Sequence, residues 1–262
     1  MPPASRITDQ FRACALPIER NPFPELSAAA LWEDTGKGRL GGVLTRVDAT
    51  GGVPLVRTTT QYANPAQHFQ QVHTQLADQI REFAALPVAF NNALIECYTN
   101  TYRTMGSHSD QALDLADGSF IAVFSCYQHP ETGPLRKLVV EAKEADGERA
   151  EIPLAHNGFV VFSVAANRRH RHKIVLDTSG RAPDQAPDNQ WLGLTFRTSK
   201  TLVHYRDGQA YLPEGTPLTS ADDEQRRAFY RLRRRENTET DFAYPQLAHT
   251  VSESDLVPPV HR

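Results

Sequence analysis

Cysteine is scarce in this chain. Cys14, Cys97 and Cys126 are the only three, far apart and without a Cys-x-x-Cys pair. That spacing excludes a disulfide framework and a cysteine zinc site, and it fits a reducing compartment such as the cytoplasm. Long apolar runs are missing too. None approaches 18 residues, so no transmembrane helix is expected and no membrane partner follows. The opening Met1-Pro2-Pro3-Ala4-Ser5-Arg6 lacks the apolar stretch of a signal peptide. Nor does one sign of charge dominate. A formal net charge of −3 gives no blanket attraction to nucleic acid, although a local basic patch is still allowed.

What is present is a succession of short apolar segments set off by turn residues. Residues 119–127, Ser-Phe-Ile-Ala-Val-Phe-Ser-Cys-Tyr, read as a strand buried on both faces, as do residues 159–164. Residues 135–142 and 150–154 flank Ala145-Asp146-Gly147-Glu148 as a hairpin. Residues 173–177 and 192–199 complete a β core that begins near Ala93-Leu94-Ile95. One early helix is expected, with Asn64 as N-cap, Pro65 at the first turn and an apolar stripe Phe69, Val72, Leu76, Ile80, Phe83. His68 and His73 on it read as surface residues. Residues 42–62, two β-branched runs around Gly51-Gly52, read as a further hairpin. Residues 180–190 form a polar loop and residues 206–217 a linker. Ser220 then caps a helix to about Glu236, with acids at its start and Arg233, Arg234 and Arg235 at its end, as the helix dipole favours. The fold class is mainly β with flanking helices (α+β), a double-stranded β-helix or jelly roll. An N-terminal arm over 1–40, a barrel domain over 41–205 and a C-terminal segment over 206–262 packed on it are expected.

The chemistry concentrates at His108-Ser109-Asp110. In an extended segment residues i and i+2 face the same way, so an imidazole and a carboxylate can grip one metal ion. A second His-x-acid match, His129-Pro130-Glu131, sits among prolines and a glycine and reads as a turn, a poor support for a metal. A distant third ligand is needed. His170 and His172 compete for that place; His172 directly precedes the β-branched run Ile174-Val175 and is preferred, with His170 read as a surface residue. Two histidines and one carboxylate leave open positions on an iron ion, the arrangement of non-haem Fe(II) oxygenases.

Residues 91–197 resemble the catalytic core of AlkB-like Fe(II)/2-oxoglutarate dioxygenases. The matching segments are Glu96-Cys97-Tyr98, His108-Ser109-Asp110, Asn157-Gly158-Phe159-Val160-Val161-Phe162, His172 and Trp191-Leu192-Gly193-Leu194-Thr195-Phe196-Arg197. The resemblance implies Fe(II), 2-oxoglutarate and O₂, with His108, Asp110 and His172 on the metal and Tyr98 and Arg197 on 2-oxoglutarate. It implies hydroxylation of a C–H bond, or loss of formaldehyde where the carbon is an N-methyl. Three positions depart from the pattern: Glu96 and Gly193 stand where the family has Asn, and Trp191 where it has Arg. The second carboxylate of 2-oxoglutarate therefore lacks its usual partner, with Arg103 and Arg171 as the sequence neighbours that could replace it. In this family a flap near residues 42–62 closes over substrate, which makes Tyr62 a substrate contact; its other reading is a plain strand aromatic. The acidic balance and altered motif favour a small-molecule substrate over an alkylated nucleic-acid base. Trp191 and Glu96 keep a second reading open, a β-barrel binding module without turnover.

Overall fold

The computed structural model describes residues 6–133, 135–144, 147–178 and 188–261. Nine strands carry the architecture: β1 (Arg12–Ala15), β2 (Arg39–Thr45), β3 (Asn92–Tyr98), β4 (Phe120–Tyr127), β5 (Arg136–Ala142), β6 (Arg149–Leu154), β7 (Gly158–Ser163), β8 (His170–Leu176) and β9 (Trp191–Arg197). The larger sheet runs β1-β7-β4-β9-β3-β2, with Glu33–Asp34 and Gln67–His68 paired at the β2 edge; the smaller runs β8-β5-β6. Both are antiparallel in these strands. This is a jelly-roll arrangement.

The apolar runs are explained by cover on both faces. On β3, Ala93, Ile95 and Cys97 join one core cluster with Leu76 and Ile80 of helix α1 (Gln71–Phe83). Tyr98 joins the other cluster, which lies between the sheets and takes Val123 and Phe162 from the larger and Leu138 and Ile174 from the smaller. Two more helices matter: α2 (Val164–Arg169), capped by Ser163, and α3 (Asp223–Glu236).

Several sequence expectations are corrected here. Residues 42–62 form no hairpin: β2 pairs with β3, and Val53–Pro54 pairs instead with Leu202–Arg206. The expected early helix begins at Gln71, because Gln67 and His68 are drawn into the sheet beside Leu44 and Thr45. His73 is fully buried there, its Nδ1 accepting from the Gln70 amide at 3.1 Å, and His68 is half-buried against His261. Residues 206–217 are largely ordered structure rather than linker. Leu202–Arg206 and Gln209–Tyr211 form a hairpin across Asp207-Gly208, both at positive φ (50° and 76°), the geometry of a tight primed turn. The cap of α3 is Asp222, whose carboxylate accepts from the Gln225 amide, not Ser220. The sheet also starts earlier than Ala93, since β1 and β2 both belong to it. The opening residues 1–5, the tip residues Ala145 and Asp146 and loop residues 180–187 lie outside the described residues.

Candidate metal centre

On β8 burial alternates, so His170, His172 and Ile174 point inward while Arg171 and Lys173 point outward. The segment holding His108 is not a long strand. It joins β8 through two isolated antiparallel bridges, Thr104 with Val175 and His108 with His172; in the second, the His108 amide donates to the His172 carbonyl at 3.0 Å and the His172 amide to the His108 carbonyl at 2.7 Å. That reciprocal pair sets the two imidazoles side by side, with centroids 4.8 Å apart. Asp110 Oδ1 lies 3.6 Å from His108 Nε2 and 3.4 Å from His172 Nε2. One donor atom from each of the three residues falls within 4.8 Å of the others, the only such cluster among the described residues. His129 and Glu131 lie apart, in a turn.

His108 and Asp110 are oriented from behind, whereas His172 Nδ1 is buried without a hydrogen-bond partner among the described residues. His108 Nδ1 lies 2.9 Å from the Gly106 carbonyl, which fixes the proton on that nitrogen and leaves the Nε2 lone pair facing the cluster. Asn167, fully buried in α2, accepts from the Asp110 amide (2.8 Å) and donates to the Asp110 carbonyl (2.7 Å). Arg197 Nε donates to Asp110 Oδ2 at 2.8 Å, leaving Oδ1 toward the imidazoles. Burial alone would raise the Asp110 carboxyl, but Arg197 and the two histidines hold it well below the usual carboxylate range. Burial pushes the His172 imidazole down, against the pull of Asp110. An ionised carboxylate and two neutral imidazoles with converging lone pairs are the donor set that Fe(II) requires.

Helix α3 pins the same segment from outside. Arg233 donates to the Ser109 carbonyl at 3.0 Å, Asn237 accepts from the Ser109 amide at 2.9 Å, and Glu236 accepts from the Ala112 amide at 2.8 Å. None of this was visible as a motif; the Arg233–Arg235 run read as helix-dipole chemistry first and as a nucleic-acid contact second. His170, expected at the surface, is buried with Nδ1 2.9 Å from the Ala166 carbonyl and its ring against Phe11. It lies two residues from His172 on the same face but outside the cluster.

A cavity of about 440 Å³ opens beside the three side chains. Its wall includes Arg197, Thr195, Glu96 and Arg39, and from α3 Tyr230, Arg233 and Arg234. Neither Arg103 nor Arg171 lines it; Arg171 is on the outward face of β8, and Arg103 is exposed. Tyr62 is buried among Val43, Val56 and Leu94 and is not part of the wall. Tyr98 is fully buried behind it, tilted against Trp191 at 4.8 Å. The Trp191 ring lies over Gly193, where a Cβ would come within 2.1 Å of it, and its Nε1 donates to Ser125 Oγ at 2.5 Å.

A two-His, one-carboxylate cluster on the inner wall of a jelly roll defines a non-haem iron protein. The family model of the 2OG-Fe(II) oxygenase superfamily matches residues 43–197, more than half of the chain. The chain belongs to that superfamily: it is an oxidoreductase whose cofactors are Fe(II), 2-oxoglutarate and O₂. Comparison with curated proteins finds no match. Among solved structures, that of OsALKBH1 shares 17% identity over 63% of this chain and 81% of that chain, with a TM-score of 0.39. No helix among the described residues is long and apolar enough to cross a membrane.

Proposed function

We propose that the protein hydroxylates a C–H bond of a small organic substrate, with Fe(II) held by His108, Asp110 and His172. The observation that carries this reading is the convergence of the three donor atoms on the wall of the cavity. When bound, the iron with 2-oxoglutarate and O₂ supplies the oxidising power, while 2-oxoglutarate becomes succinate and CO₂. The chain's own part is to bind, orient and exclude water. Arg197 fixes the Asp110 carboxylate and offers its guanidinium edge to the keto-acid end of the cosubstrate. Tyr98 is assigned to the cosubstrate by family pattern and is fully buried behind the cavity wall. Tyr62, packed behind the wall, is at most an indirect substrate contact.

A volume of about 440 Å³ suits a small molecule, and the surplus of arginine over acid on the wall suits one that carries a negative charge. His108→Ala should abolish substrate-dependent release of CO₂ from labelled 2-oxoglutarate. Turnover by that variant with iron supplied would refute the assignment.

One observation favours a second substrate class, an alkylated nucleic-acid base. Arg227, Arg231 and Arg234 are exposed on α3 at spacings of four and three, one helical face, and Arg234 reaches the cavity wall. Such a stripe can track a phosphate backbone, with steep salt dependence. Titration with alkylated single strands at several salt concentrations separates the two. Absence of salt-sensitive binding leaves the small molecule.

A further inference from the structure

The family motif loses its guanidinium at Trp191, and the geometry points to Arg39 as the residue that replaces it. Arg39, Tyr98 and Trp191 stand in one row across the larger sheet: Arg39 is directly opposite Tyr98, and Tyr98 directly opposite Trp191. Adjacent strands lie about 4.8 Å apart, so the Arg39 backbone is about 10 Å from that of Trp191, and a guanidinium side chain spans most of that gap. The position vacated by arginine is filled by the indole ring folded over Gly193. Arg39 reaches the cavity from the other side of Tyr98 and forms part of its wall.

The surroundings of Arg39 are those of a carboxylate site. The hydroxyl of Tyr62, a residue only 3% exposed, has no hydrogen-bond partner among the described residues, and that of Tyr98 lies against Glu96. A buried hydroxyl without a partner is costly. The Tyr62 hydroxyl is aimed at the Glu96 level of the sheet: Gly41 is opposite Glu96, and a Cβ on Gly41 would come within 2.7 Å of that oxygen. Burial first, and the Glu96 charge second, hold both phenols well above their ordinary range, so both stay proton donors.

Glu96 complicates the site in an informative way. Its carboxylate accepts from Arg39 Nε at 2.8 Å and from Nη2 at 2.5 Å, and Nη2 also donates to Thr60 at 3.3 Å. A side-chain carboxylate thus sits on the cation that the ligand needs, and it would repel a second one. Of the other cavity arginines, Arg57 is committed to Asp114 by two hydrogen bonds, Arg233 to Glu236 and Ser109, and Arg197 to Asp110, while Arg234 is exposed on α3. Arg136, buried over Tyr98 and Trp191, gives its terminal nitrogens to the Tyr102 and Thr99 carbonyls and does not line the cavity.

We therefore infer that Arg39 takes the distal carboxylate of 2-oxoglutarate, and that Glu96 competes for the same guanidinium. This rests on the family's cosubstrate. The test is calorimetric binding of 2-oxoglutarate and of 2-oxopentanoate, its monocarboxylate analogue, to the Mn(II)-loaded chain without turnover. The wild type should prefer the dicarboxylate by at least about tenfold. Arg39→Gln should bring the two affinities together by loosening 2-oxoglutarate alone, and Arg39→Lys should restore part of the preference. Glu96→Gln should widen it. Unchanged 2-oxopentanoate affinity in Arg39→Gln shows that the site is still folded. A full preference retained by Arg39→Gln, no preference in the wild type, or a preference narrowed by Glu96→Gln overturns the inference. Failure of the wild type to bind either acid overturns the cosubstrate reading, and this one with it.

Discussion

At the scale of single residues, the His108–Asp110–His172 cluster depends on groups outside it. Asn167 closes two hydrogen bonds on the Asp110 backbone and sets where its carboxylate points. Removal of such an orienting partner typically costs ten- to a hundredfold in metal affinity. Asn167→Ala is therefore expected to weaken Fe(II) or Mn(II) binding by about that factor, as read by equilibrium dialysis. An unchanged affinity would remove Asn167 from the site. Gly193 is a second such position. Any side chain there meets the Trp191 ring, so Gly193→Ala should cost about 1–3 kcal/mol in denaturant unfolding. Combining it with Trp191→Phe, which trims the ring, should recover part of that loss in a double-mutant cycle.

At the scale of elements, two helices carry properties that their sequence patterns hid. Helix α1 buries His73, and burial pushes its imidazole down to about 4 from the ordinary 6.5. The folded chain then holds a neutral ring while the unfolded chain takes up a proton near 6.5. Between those values the unfolded state binds more protons, so this group's contribution to stability is present above about pH 6.5 and is lost as pH falls toward 4. His73→Gln should flatten that acid limb by up to about 3 kcal/mol between pH 7 and 4. Unfolding curves across that range with an unaltered slope would contradict it. Helix α3, by contrast, acts on the site: its Arg233 and Glu236, with the C-cap Asn237, hold residues 109–112 in place. Asn237→Ala leaves the exposed end of the helix intact and should loosen metal binding several-fold with little change in melting temperature.

At the scale of the whole molecule, legibility followed how local each determinant was. The buried strands were plain from runs such as 119–127, because cover on both faces removes the polar alternation. His108, Asp110 and His172 stood out because two of them are close in sequence and the third leads a β-branched strand. What escaped notice depends on distant pairing. Gln67 looked helical beside Asn64 and Pro65, yet the free edge of β2 claims it. Val53 looked like the partner of β2, yet it pairs with Val203. The Asp207-Gly208 turn carried a readable hairpin signal that the surrounding prolines and glycine obscured. Arg39 carried no signal, since its importance comes from standing two strands away from a tryptophan that replaces arginine.

Iron content is the most direct test of the account. Wild-type protein equilibrated anaerobically with ferrous iron and passed over a desalting column should retain about one iron per chain, and Asp110→Ala and His172→Ala should each retain almost none while unfolding cooperatively. Stoichiometric iron in either variant would place the metal elsewhere and contradict the account.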